Sequence, residues 1–210
     1  PEVVAKIQAI VDGERDDLLD YRQKLQIVKE LKTIYRTPQN LAEHLGLFSE
    51  YITPDGLNWI TPEHRWGGKK PRLSVFVDDA QSTAIFRNRR FLNMVTRHRH
   101  LGSFPDDEAS IGLSMFIAVQ SYTATGGGLP EAIRGNATHM ALWRTKNMNE
   151  LNLIATEFAG EVSPEKFKEI YDFVMESDPS PHTFMFIDLH KKKEHPSQFR
   201  KNYLEFLVDT

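Results

Sequence analysis

Four short apolar runs, each bounded by polar or turn-forming residues and separated by helix-like stretches, constrain this chain more than any other feature. They are LSVFV (73–77), IGLSMFIAVQ (111–120), HMALWR (139–144) and HTFMFIDLH (182–190). Runs of this length, rich in β-branched and aromatic residues, read as buried strands. Between them lie TAIFRNRRFLNMVTR (83–97), a short helix begun at Pro130, MNELNLIATEFAG (148–160) and SPEKFKEIYDFVMES (163–177), with Ser163 as N-cap and Pro164 in the first turn. Strands alternating with helices predict an α/β fold with a mainly parallel sheet and helices on both faces. The tail PSQFRKNYLEFLV (196–208) reads as a last helix.

The region before residue 71 has a different texture. Apolar residues at helical spacing from Val3 to Tyr35 predict two helices parted at Gly13 in VDGERDD, the second stopped by Thr37-Pro38. Residues 41–71 carry Pro54-Asp55-Gly56, Pro62 and Gly67-Gly68 and read as a loop-rich insertion. Two segments are therefore expected, 1–70 and 71–210. With 210 residues, a formal charge of -3 and no cysteine, the chain has room for one substantial core, carries no uniformly basic coat, and forms no disulfide or thiolate metal site. No apolar stretch approaches the ~20 residues of a membrane helix.

The first run ends in two adjacent carboxylates, Asp78 and Asp79. Side by side at the rim of a core, they need a compensating cation or an open loop. At the carboxyl end of a parallel strand, where ligands gather in open α/β sheets, such a pair suits a hard cation and an attacking water. Capping of the following helix explains it equally well. Gln120 ends the second run in the same way, and an amide there can hydrogen-bond a water or a phosphate oxygen.

LSVFVDDAQS, TRHRHLG, IGLSMFIAVQSY and LPEAIRGNATH, in that order, resemble the FtsK/HerA superfamily of DNA-pumping ATPases, and more narrowly the genome-packaging ATPases of large DNA viruses. The likeness spans roughly residues 72–142. It implies a P-loop NTPase core of the RecA/FtsK-like ASCE type that binds ATP and Mg²⁺. Asp78 is then the Mg²⁺-linked Walker B aspartate, directly or through water, Asp79 the water-activating carboxylate and Gln120 the sensor. Arg134, in the Ile-Arg-x-Asn segment, would reach a neighbouring subunit's nucleotide; the plain alternative is a helix-terminal arginine paired with a carboxylate. The implied partners are double-stranded DNA, further copies in a ring, and capsid or portal proteins, in host cytoplasm, virus factory or virion.

One part of the pattern is missing. No segment matches G-x-x-x-x-G-K-[ST], the phosphate-binding loop; RWGGKKP and ATGGGLPEAIRG lack its spacing or its lysine. The core is thus expected without its phosphate-loop strand, the loop standing before Pro1, and the chain inactive by itself. Two rival readings stay open: an ATPase-like interaction module that no longer binds nucleotide, and a metal-dependent nuclease using Asp78, Asp79 and Asp188 or His190.

Arg89, Arg90, Arg97 and Arg99 cluster in an otherwise acidic chain and suit a DNA backbone or an acidic neighbour, although a solvated basic face is the simpler account. His98 and His100 form an HxH without a third ligand at suggestive spacing. The lysines of LHKKKEH read as solvation of the sheet's end.

Overall fold

The computed structural model describes residues 2–43, 48–80, 83–105, 109–123, 128–160 and 162–208. These form a mixed α/β protein with one small parallel and one antiparallel sheet. The Ala124–Gly127 portion of the Gly-rich loop lies outside the described residues. The chain divides into two compact units, 1–77 with 88–117, and 78–87 with 118–210.

The first unit begins with one continuous helix, α1 (Glu2–Tyr35). The break expected at Gly13 does not occur. A helical glycine costs only about 1 kcal/mol, and its neighbours are held from outside: Val11 is buried, and buried Glu14 accepts the Trp66 indole N–H at 2.9 Å and pairs with Arg65 at 2.7 Å. Thr37 caps α2 (Pro38–Ala42), and Val28, Leu31, Leu41, Tyr51 and Ile52 make a small core beneath it.

Strands β1 (Ser74–Val77) and β2 (Ser114–Ile117) pair in parallel, Ser74 opposite Ser114 and Val77 opposite Ile117. Neither is buried on both faces, as the apolar runs had led us to expect. Phe76 and Phe116 stack on each other at 4.6 Å on the solvent side, being 74% and 51% exposed. The helix expected over 83–97 is also divided. A 3₁₀ turn (Ala84–Arg87) ends at extended Asn88, whose side chain accepts the Arg90 and Phe91 N–H groups and starts α3 (Arg89–Arg97) afresh. The unit boundary falls at this break.

The second unit orders its strands β3 (His139–Trp143), β4 (Phe184–Asp188), β5 (Phe199–Lys201) and β6 (Glu205–Phe206), every neighbouring pair antiparallel. This corrects the expectation of one mainly parallel sheet, which holds only for β1 and β2. A single crossover helix returns a chain parallel to its start. Here β3 reaches β4 through two helices, α5 (Met148–Phe158) and α6 (Pro164–Ser177), with Gly160 at φ 66° between them and Ser163 capping the second. The tail is likewise a hairpin rather than a helix: Asn202 adopts φ 55°, exchanges hydrogen bonds with the Phe184 backbone, and turns β5 into β6. The core joins Met185, Ile187 and Phe199 of the sheet to Leu151, Ile154, Phe167, Tyr171 and Val174 of the helices. The opposite sheet face carries Trp143, Phe184, Phe186 and Tyr203 in ring contact, and Arg200 paired with buried Asp188 at 3.2 Å. Among the described residues, no helix is long and apolar enough to cross a membrane.

Candidate functional site

Asp78 and Asp79 directly follow β1, and Gln120 comes shortly after β2. Because those strands run parallel and in register, both chain segments emerge from the same end of the pair. Asp79 adopts a left-handed backbone, φ 48°, and the Gln120 side-chain amide donates to its Oδ1 at 2.9 Å, joining residues 41 apart in sequence. Asp78, Asp79 and Gln120 are all exposed. Both carboxylates stand in an open loop, so water meets their charge.

The chain beyond Gln120 is anchored to α5. The Ser121 hydroxyl donates to the Glu150 carboxylate, and the same Oε1 accepts the Thr123 N–H at 3.1 Å and the Thr123 hydroxyl at 3.4 Å. Burial raises the Glu150 pKa, but these hydrogen bonds outweigh it and hold the group below its ordinary value. Glu150 lies in the first turn of α5, capped by Asn147, where the helix field favours an anion. The Tyr122 hydroxyl donates to Glu157, further along the same helix. Burial first, then the hydrogen bond and charge of Glu157, push the Tyr122 phenol far above its usual range.

Arg134 ends the short helix α4 (Glu131–Arg134) and joins that second carboxylate. Its guanidinium pairs with Glu157 at 3.2 Å and lies over the Tyr122 ring at 5.0 Å, with 19% of the side chain exposed. Within one chain it therefore makes the carboxylate pairing that was the alternative to a subunit-bridging role. It is not part of the Asp79–Gln120 contact.

Arg89, Arg90, Arg97 and Arg99 are all exposed, along and just past α3, while Phe91, Met94 and Val95 bury its other face. The His98 ring faces the Val95 carbonyl at 2.7 Å. Asp188 does not accompany Asp78 and Asp79: it is buried, lies within 3.5 Å of Arg200, His139 and His195, and its Oδ1 accepts the His190 backbone N–H. Among the described residues, no group of three or more His, Asp or Glu could hold a metal ion.

No family model, curated protein or solved structure matches this chain.

Sequence reasoning singled out Asp79 and Gln120 but missed Glu150 and Glu157. Asn147-x-x-Glu150 is a helix-start spacing visible in the sequence. That Glu150 turns away from its own helix toward Ser121 and Thr123 is not.

Proposed function

We propose that this chain is the Walker B and sensor portion of an ATP-driven DNA translocation subunit of the FtsK/HerA type, a packaging motor for double-stranded viral DNA. The observation that carries the reading is the hydrogen bond from Gln120 to Asp79. In a nucleoside triphosphatase, an amide bonded to the water-activating carboxylate changes partner when a γ-phosphate arrives, and so reports the nucleotide's state. Asp79 would orient the attacking water.

The residues present fit Mg²⁺ bound in its usual way. Mg²⁺ keeps most of its water and takes one or two protein carboxylates, the rest of its shell coming from phosphate oxygens. Two exposed neighbouring carboxylates, with no third ligand among the described residues, match that requirement better than they match a cation held wholly by protein. When bound, Mg²⁺ neutralises charge on the phosphates. Asp78 would hold it, directly or through water.

ATP hydrolysis further requires a phosphate loop, which no segment of this sequence matches, so the motor reading needs one from outside these 210 residues. The exposed Phe76–Phe116 face of β1 and β2 is apolar surface on which a further layer of polypeptide would pack. DNA would meet exposed Arg89, Arg90, Arg97 and Arg99, in a ring of like copies delivering DNA to a capsid or portal. The missing loop also favours a second reading, an ATPase-like interaction module without hydrolysis.

Hydrolysis of Mg-ATP by the whole gene product, with and without double-stranded DNA, separates the two. The motor reading expects DNA-stimulated turnover that falls by about 10²- to 10⁴-fold in Asp79→Asn, the usual loss for a general base. A whole product that binds no nucleotide leaves the interaction module. Cutting of DNA by Mg²⁺ alone would instead mark a nuclease.

A further inference from the structure

We propose that Glu150 is the positioning residue that keeps Gln120 on Asp79. The inference deepens the sensor reading and rests on it for its functional meaning, but the geometry behind it stands by itself.

A glutamine on an exposed loop has several rotatable bonds, and holding its amide against one carboxylate oxygen requires the backbone beneath it to be fixed. The residues after Gln120 give their side-chain hydrogen bonds to α5, beside one backbone bond within the loop from the Leu129 N–H to the Tyr122 carbonyl at 3.1 Å. Ser121, directly adjacent, and Thr123 direct three donors to one oxygen of Glu150. Tyr122, between them, is buried and donates to Glu157 about two helical turns further on. Two carboxylates on one helix thus hold three consecutive residues.

Burying Glu150, which is 8% exposed, is unfavourable unless donors surround it. Those it has come from this loop. An acceptor-only side chain suits three converging donors, whereas alanine would leave the Ser121 and Thr123 groups to find water or new partners. The loop would then move, and the Gln120 amide with it.

The test is nuclear magnetic resonance of the Gln120 side-chain amide in the ¹⁵N-labelled chain, without nucleotide. Asp79→Gly removes the acceptor at a position where glycine is at ease, and so supplies the signal of the unbonded amide. Glu150→Ala is expected to move the Gln120 signal more than half of the way to that reference, while Glu150→Gln, which keeps an acceptor oxygen, restores most of the native position. Ser121→Ala removes one donor and serves if the alanine variant at 150 does not fold; a smaller shift in the same direction is expected. An unmoved Gln120 signal in folded Glu150→Ala or Ser121→Ala overturns the proposal.

In the whole gene product, Glu150→Ala should lower kcat on the order of 10- to 100-fold with KM for ATP unchanged, as for a misplaced rather than deleted group. An active wild type whose kcat ignores Glu150→Ala also overturns it. If the wild type hydrolyses nothing, the motor reading fails while the resonance of Gln120 still decides the role of Glu150.

Discussion

Replacing Tyr122 with phenylalanine removes one oxygen from the interior of the second unit and makes a pH-dependent prediction. The hydroxyl is a buried donor to the Glu157 carboxylate. Hydrogen bonds to charged groups contribute about 1.5–3 kcal/mol, and since Glu157 keeps Arg134, the low end of about 1.5–2 kcal/mol applies near neutral pH. The sign reverses the usual intuition at high pH. The Tyr122 pKa is raised in the fold, so between the ordinary tyrosine value of 10.0 and that higher value the unfolded chain ionises while the folded one does not. Stability from Tyr122 is therefore whole below pH 10 and drains as pH rises. With a full-proton slope of about 1.36 kcal/mol per unit, the loss is roughly 0.4 kcal/mol at pH 10 and about 1.4 kcal/mol at pH 11. Wild type and Tyr122→Phe should thus differ clearly at pH 8 and nearly coincide at pH 11. Urea denaturation followed by circular dichroism across that range reads the gap directly. The rise in the Tyr171 pKa is common to both proteins and cancels. A gap that stays constant from pH 8 to 11 would refute the argument, since the phenol would then share one pKa in both states.

Two glycines should answer alanine in opposite ways: Gly13→Ala, in mid-helix with nothing near its added carbon, stabilises by about 1 kcal/mol, and Gly102→Ala, at φ 64° with Val11 Cγ1 only 2.7 Å away, destabilises by about 2 kcal/mol or more in thermal melts. Asp188→Asn leaves Arg200 short of its buried counter-charge and should cost about 3 kcal/mol in chemical denaturation; added Arg200→Met should recover part of it, and strictly additive effects would argue against the pair. Glu150, its pKa lowered in the fold, contributes stability above its ordinary 4.5 that is lost as pH falls through the folded value, so Glu150→Gln should flatten the acid limb of the stability profile.

Much of this architecture is legible in the sequence, and the failures share a cause. β3, β4, α5 and α6 fall where periodicity and the Ser163-Pro164 start signal put them. Strand direction does not follow from periodicity, and the second helix that reverses β4 shows its effect only when the connection is traced. The helix read into the tail rested on apolar spacing that a short antiparallel ladder also satisfies, Phe199 facing Ile187 and Phe206 facing Arg200. Gly13 fails as a breaker because Trp66 and Arg65, far along the chain, hold Glu14. At the site, the carboxylate pair and the glutamine announce themselves by ending apolar runs. Their contact with each other, and the diversion of Glu150 and Glu157 from their own helix to the loop, are long-range pairings that no local pattern encodes.

The backbone of Asp79 has a consequence for laboratory evolution. A side chain held at φ 48° sits in a basin that costs a non-glycine residue about 1–2 kcal/mol, and asparagine or glycine occupies it more comfortably. Screening variants for heat tolerance alone would therefore enrich glycine at this position and discard the carboxylate, along with the acceptor that Gln120 uses.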